Sequence, residues 1–263
     1  MTKFETLKVE RQAGGLMLVT LNRPDVRNAT NTQMGRELRE LFVPLKFTPG
    51  DVRCVVITGA GDKAFCAGGD LKERNGMTDE TWRLQHAIFE EAFYAIIDCS
   101  VPVIAAVNGA AFGGGLEMAL CCDFIYAVKG VRLALTEVRL GIMPGGCGTQ
   151  NLPRAVGSRR AKELILTAQP FTAEQGYEWG LVNQLCEPTE LMPAVQATVE
   201  RICENAPLSV RQAKKSIDYG MQMDIHSAIV FEVQAYERMI STEDRHEGVR
   251  AFNEKRKPNF KGR

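Results

Sequence analysis

The sequence predicts an α/β protein, and two observations carry that reading. Short β-branched runs such as "LMLVTLN" (Leu16–Asn22) and "VRCVVITG" (Val52–Gly59) recur along the chain. Between them lie longer stretches whose apolar residues return at helical spacing, the pattern of layered strands and helices. After Thr189 the strands stop, and "ELMPAVQATVERICENA", "SVRQAKKSIDYGM" and "IHSAIVFEVQAYERMIS" all read as helix. The length of 263 residues suits one large domain with at most a small appendage. The change near Pro188–Ala206 divides it into a mixed part, 1–200, and a helical part, 201–263.

Each element has a local reason. Leu16–Asn22 is an apolar strand that Pro24 and the turn formers of "RPDVRNAT" end. From Thr32, Met34, Leu38, Leu41, Phe42 and Leu45 form one helical stripe. Val52–Gly59 is a second strand, closed by glycine. "AGDKAFCAGGDLKE" reads as a glycine-rich loop. A long amphipathic helix spans Thr78 to Cys99, with Trp82, Ile88, Phe89, Phe93, Ile96 and Ile97 inward. Val101–Gly109 is a buried strand, and the triple glycine after it opens a short helix, "GLEMALCCD". "FIYAV" is a strand, and "LALTEVRLGIMPGGCGTQ" is a strand running into a further glycine-rich loop. Helices follow at Ser158–Thr167 and Thr172–Trp179, then a last strand in "LVNQLCE".

Composition excludes several classes of function. Lysine plus arginine equals aspartate plus glutamate at 32 each, so the basic footprint of a nucleic-acid binder is missing. No apolar run reaches membrane-spanning length. The start, "MTKFETLKVERQ", has neither signal-peptide nor transit-peptide character, which points to the cytoplasm. The eight cysteines show no CxxC spacing and sit mostly among apolar residues, as reduced, buried thiols do. His86, His226 and His246 lie far apart and beside no cysteine, so no metal site or histidine triad is expected. Neither "GK[ST]" nor a GxGxxG after a strand occurs, which argues against the common nucleotide-binding loops.

The chemistry gathers in the glycine segments. If a helix begins at Gly113–Gly115, its first N–H groups have no intrahelical partner and carry partial positive charge. Gly114 would then offer a donor to a carbonyl oxygen that becomes an oxyanion, with Gly113 and Gly115 letting the reacting group come close. Glu117 lies three residues on, on the same helical face. An acid in a first turn can also be only a dipole partner, and triple glycine only a packing device. In "AFCAGGDLKE", Gly69 could supply a second backbone donor. Glu137, twenty residues after Glu117, ends a short strand. Two glycine loops and two carboxylates together suggest general acid–base chemistry beside an activated carbonyl.

"AFCAGGDLKE", "IAAVNGAAFGGGLEMALCCDF" and "LTEVRLGIMPGGCGTQNLPRAVG", in that order, resemble the crotonase (enoyl-CoA hydratase/isomerase) superfamily over essentially the whole chain. The resemblance implies a spiral of ββα units with a helical C-terminal region that drives trimerisation, as a homotrimer or a hexamer built as a dimer of trimers. It implies an acyl-CoA thioester as substrate and no cofactor beyond the coenzyme A of that substrate. The thioester carbonyl would sit in an oxyanion hole of the Gly69 and Gly114 N–H groups. Glu117 would act as base toward water, and Glu137 would deliver a proton to the α-carbon. Ala67, Asp70, Leu71 and Lys72 would line the path of the adenine and pantetheine, flanked by Arg27 and Ala29. Phe252 and Lys255 would reach the coenzyme A of a neighbouring subunit. Retention of both acids favours hydration of a 2-trans-enoyl-CoA to a 3-hydroxyacyl-CoA. "FCAGGDLKER", "LTEVRLGIMPGG" and "STEDRHEGVRAFNEKRKPNFKGR" look especially like methylglutaconyl-CoA hydratases, and the resemblance also admits a carnitinyl-CoA hydratase or an enoyl-CoA isomerase. Three departures from the usual pattern bear on substrate range: Gly69 for a commoner alanine, Cys147 within a glycine run, and Asn151 where arginine is frequent.

Overall fold

The computed structural model describes residues 4–263. Strands β1 (Leu7–Arg11) and β2 (Leu16–Leu21) form an antiparallel hairpin that leads into helix α1 (Thr32–Phe42). Three ββα turns follow. The first is β3 (Cys54–Gly59), β4 (Ala64–Cys66), then α2 (Leu71–Arg74) and α3 (Asp79–Ile97). The second is β5 (Val103–Val107), β6 (Ala110–Phe112) and α4 (Gly114–Leu120). The third is β7 (Phe124–Val128), β8 (Arg132–Ala134), a 3₁₀ turn at Glu137–Leu140, and α5 (Gly148–Val156) with α6 (Ser158–Thr167). The chain continues through β9 (Phe171–Thr172), α7 (Ala173–Glu178), β10 (Gln184–Cys186), α8 (Leu191–Cys203), α9 (Pro207–Gly220), α10 (Ile225–Ile240) and α11 (Glu243–Asn253).

Each turn gives its first strand to one sheet and its second to another. The large sheet has the order β1-β2-β3-β5-β7-β10 and the small one β4-β6-β8-β9. Pairing is parallel except at β1–β2 and β8–β9. The expected α/β spiral is present, with two short strands that the sequence pattern does not show. The "GDKAFCAGG" and "GAAFGGG" segments, read as loop and helix entry, each hold a three-residue strand, β4 and β6. Three residues are too few to show a period.

The central strands are buried on both faces, and their alternation sorts them between two layers. Val55, Ile57, Val103, Ala105 and Val107 pack with Met34, Leu38 and Phe42 of α1 and with Phe93 and Ile96 of α3. Their neighbours Cys54, Val56, Ile104 and Ala106 point the other way, onto Leu191, Val195 and Val199 of α8. Asn31 caps α1 by accepting from the Met34 N–H at 3.0 Å, which fixes the start read at Thr32. The long helix also matches, with Thr78 as its cap. Trp82, Ile88 and Ile97, expected inward, are only partly covered. The cysteines are all free thiols, five of them buried. Among the described residues, no helix is long and apolar enough to cross a membrane, and no three metal-ligating side chains cluster.

Candidate active site

Parallel pairing of β4 with β6 sets Cys66 opposite Ala111 and carries both chains forward side by side. The residues just beyond are Gly68–Gly69 and Gly113–Gly114. Thr30 bridges the first pair: its N–H donates to Gly68 O at 2.8 Å, and Asp70 N–H donates to its carbonyl at 2.9 Å. That arrangement turns the intervening Gly69 N–H away from Thr30. Gly114 is the first residue of α4, where an N–H has no helical acceptor. Among the described residues neither N–H has an acceptor. They adjoin each other, since a Cβ on Gly114 would lie 3.9 Å from Gly69 N.

The triple glycine divides its work differently from the expectation. Gly113 takes φ 51° and ψ −128°, a conformation that strains an L side chain, and a Cβ there would stand 2.9 Å from Glu137 Oε1. Gly115 does not open the site for a reacting group. It faces inward, where a Cβ would come within 2.2 Å of Cys66 O, so it serves the packing of α4 on β4. Only Gly114 faces open space of the cavity, its nearest neighbours standing at 3.9–4.0 Å.

Glu117 is buried, and the N–H groups of Gly146 and Gly148 donate to its Oε1 at 2.8 and 2.9 Å. That leaves Oε2 for the cavity. Burial pushes its pKa up to about 7, the nearby charge of Glu137 adds to the rise, and the two N–H bonds and Arg74 oppose it. Glu137 opens the 3₁₀ turn after β8 and is also buried. Its pKa is raised, again chiefly by burial. Its Oε2 is the single buried side-chain oxygen or nitrogen among the described residues with no hydrogen-bond partner. The "PGGCG" loop that grips Glu117 reads in the sequence only as part of a glycine-rich loop. Its glycines were the available signal, but the acid that they hold lies about thirty residues earlier in the chain.

These groups line one cavity of about 490 Å³. Ala67, Gly69, Leu71, Gly114, Glu117 and Glu137, all expected site residues, are part of its wall. Arg27, Ala29, Asp70, Lys72, Phe252 and Lys255 are not. Arg27 lies beside the rim, its carbonyl accepting from Ala67 N–H at 3.0 Å, and Ala29 is buried behind it. The Asp70 carboxylate is turned inward, salt-bridged to Arg23 at 2.9 Å and capping α2 through the Lys72 and Glu73 N–H groups. Lys72 is exposed. Phe252, at the end of α11, is 84% exposed, and Lys255 follows in a left-handed turn. The far wall comes from α3 and the loop after the 3₁₀ turn, through Trp82, Phe89, Phe93, Ile142 and Met143.

Residues 11–263 match the enoyl-CoA hydratase/isomerase family model. The chain belongs to that family. It is 39% identical to the crotonyl-CoA hydratase of Syntrophomonas wolfei, over 98% of each chain. It is 41% identical to the short-chain-enoyl-CoA hydratase of Clostridium acetobutylicum, over 95% of this chain and 96% of that one. A crystal structure of enoyl-CoA hydratase from Bacillus anthracis superposes with TM-score 0.96 at 40% identity, covering 98% of this chain and all of that one. The family therefore supplies the carbonyl compound that the site geometry lacks by itself: an acyl-CoA thioester.

Proposed function

We propose that this enoyl-CoA hydratase adds water across the 2,3 double bond of a short 2-trans-enoyl-CoA through Glu117 and Glu137. The observation that carries the assignment is the unpartnered, buried Glu137 Oε2 in one cavity with Glu117 and two free backbone N–H groups. An orphaned buried oxygen costs about 1–3 kcal/mol, which substrate or water in the cavity would offset.

The thioester oxygen accepts from the Gly69 and Gly114 N–H groups. That polarises the enoyl system and makes C3 electrophilic. Two neighbouring buried carboxyls hold one proton between them more readily than none. The N–H pair on Glu117 Oε1 favours negative charge there. Glu137 Oε2 has no donor, and in this scheme Glu137 carries the proton. Glu117 takes a proton from water as the water oxygen bonds to C3. The electron pair of the double bond moves toward the thioester oxygen, and the resulting enolate takes the Glu137 proton at C2. Glu117 ends protonated and Glu137 ionised, and proton exchange with solvent restores the pair. Both acids stand on one side of the bound substrate in this scheme, so the addition is syn.

The chemical test is loss of the enoyl-thioester ultraviolet absorbance with crotonyl-CoA, with mass spectrometry of the product. Gain of one water supports hydration. An unchanged mass with a moved double bond identifies an isomerase instead.

Coenzyme A itself, in this proposal, runs out past Ala67 and Leu71, with Arg27, Ala29 and Lys72 near the exit and Asp70 holding the loop. Helices α9–α11, in 201–263, form the oligomerisation region of a trimer or of a dimer of trimers. The exposure of Ile225 at 67%, Tyr236 at 68% and Phe252 at 84% supports that reading. Phe252 and Lys255 then serve the coenzyme A of the neighbouring subunit. Light scattering on the eluted protein tests the assembly, and a monomer would overturn it.

A further inference from the structure

Cys147 occupies a position whose backbone does not favour a side chain. It holds φ 75° and ψ 0°, in the left-handed region where glycine is the easy residue. Its two chain neighbours are the glycines whose N–H groups donate to Glu117 Oε1 at 2.8 and 2.9 Å. Whatever moves Cys147 therefore moves the holder of the proposed base.

A second thiol lies against the same loop. Cys121 caps the end of α4, one turn beyond Glu117, and its N–H donates to Glu117 O at 3.0 Å. Its buried Sγ donates to Gly146 O at 3.9 Å and accepts from Asn151 Nδ2 at 3.8 Å. Asn151 in turn donates its backbone N–H to Cys147 O at 2.8 Å, so one residue binds both cysteines. The two thiols are themselves hydrogen-bonding neighbours, with Cys121 as donor. That bond favours a thiolate on Cys147 and lowers its pKa, whereas burial raises the six thiols outside the pair. Cys147 is partly exposed and Cys121 is buried. An accessible thiol that holds its charge, beside a buried thiol that can resolve it, is the arrangement of a redox-sensing pair.

We propose that Cys121 and Cys147 close into a reversible disulfide on exposure to peroxide, and that this bond switches the enzyme off by displacing the Gly146 and Gly148 grip on Glu117. The effect on activity rests on the hydratase reading above; the bond itself does not. The Cys147 thiolate attacks one peroxide oxygen, the O–O bond breaks, hydroxide leaves, and Cys147 becomes a sulfenic acid. The Cys121 sulfur then attacks Cys147 Sγ, the S–O bond breaks, and the Cys121 proton leaves with hydroxide as water. Two thiols and one peroxide give one disulfide and two waters, with two electrons passing from sulfur to the peroxide oxygens. A disulfide holds its sulfurs about 2.05 Å apart, well inside the contact distance of unbonded thiols, so closure draws the loop and the end of α4 together. A displacement on the order of 1 Å at the base is enough to lower kcat by about tenfold to a hundredfold.

The test treats fully reduced protein with hydrogen peroxide, blocks the remaining thiols and maps unreduced peptides by mass spectrometry. The expected product joins Cys121 to Cys147 and is about 2 Da lighter than the two reduced peptides together. Hydration of crotonyl-CoA should fall in parallel by about tenfold or more and return on addition of dithiothreitol. Cys147→Gly suits the left-handed backbone and should keep the reduced activity while resisting peroxide. Cys121→Ala should lose the part of the inactivation that dithiothreitol reverses, because the sulfenic acid at Cys147 has no resolving partner. Inactivation without the linked peptide overturns the proposal. So does a linked peptide with unchanged activity, or a Cys147→Gly variant that peroxide inactivates as fast as wild type. If the reduced enzyme hydrates no crotonyl-CoA, it is the hydratase reading that fails. The linked peptide still decides the pair: its presence supports the disulfide, and its absence overturns it.

Discussion

Glu117→Gln removes one negative charge from the cavity and keeps the shape of the side chain. The amide oxygen can still accept from Gly146 and Gly148, and the amide nitrogen takes the place of the oxygen facing the cavity. Burial raises the Glu117 pKa from 4.5 to about 7. A rise of that size, at about 1.36 kcal/mol per pH unit, is roughly 3 kcal/mol of folding stability. The sign follows from which form the fold disfavours. A raised carboxyl contributes its stability fully below pH 4.5, and that stability is lost as pH climbs through 7. The glutamine variant cannot ionise there and keeps what the wild type loses. Its advantage over wild type should therefore grow by about 2.5 kcal/mol between pH 5 and pH 8, or roughly 5–10 °C in Tm. Thermal or urea unfolding of both proteins at several pH values measures it, with Glu137 titrating in both. The same variant should lose about 10²–10⁴ in kcat with a smaller change in KM, because a base is missing rather than a binding contact. A stability difference that stays flat from pH 5 to pH 8 would refute the claim that burial holds this acid near neutrality.

For wild-type enzyme, kcat/KM should rise with pH through an apparent pKa near 7, because the base must be ionised; a profile flat from pH 5.5 to 8.5 contradicts the assignment. Glu137→Gln should lower kcat by a similar factor of about 10²–10⁴, seen in the absorbance assay, and, because burial raises this pKa too, should gain stability relative to wild type as pH rises. The neighbouring glycines should separate sharply. Gly115→Ala should cost about 1–3 kcal/mol in denaturant unfolding, because its Cβ meets backbone at 2.2 Å. Gly114→Ala should fold within about 1 kcal/mol of wild type, since its Cβ has 3.9 Å of room, yet lower kcat/KM by intruding where the thioester oxygen sits.

Much of this was legible in the sequence, for reasons of period and chemistry. Met34, Leu38 and Phe42 repeat at helical spacing, so the start of α1 at Thr32 could be read, but its end could not: the stripe runs on to Leu45, while the helix stops at Phe42 and Leu45 lies in a 3₁₀ turn opened by Pro44. The strands β4 and β6 could not be read either, because three residues surrounded by glycine carry no period, and it is their pairing that sets Gly69 beside Gly114. Glu117 stood out as an acid beside glycines in an apolar run, whereas Glu137 gained weight only together with the glycine loops and the family resemblance. The holders of Glu117 did not stand out, since Gly146 and Gly148 are distant in the chain and bond through backbone N–H groups that any residue possesses. The far wall is fainter in the sequence: Trp82, Phe89 and Phe93 read there as the inward stripe of a long helix, and only the fold turns them toward the cavity.

The site is also where the fold is least well satisfied, and the pattern is selective. Asp70 is buried too, yet Arg23 and two backbone N–H groups hold its pKa below the usual carboxylate value despite the burial. Asp244 is buried and accepts from the Lys261 and Gly262 N–H groups at 2.6 and 2.8 Å. The chain can evidently pair its buried acids fully. At Glu137 it leaves an oxygen bare, and at Glu117 it uses one oxygen and turns the other to the cavity. Glu117 thus keeps a stabilised half that sets its position and a free half that faces the same space as the bare Glu137 oxygen. Unsatisfied groups persist in folded proteins where something other than folding selects them. Here they are the groups that the proposed hydration uses: the Gly69 and Gly114 N–H groups for the oxyanion, and Glu117 and Glu137 for a proton on either side of a water.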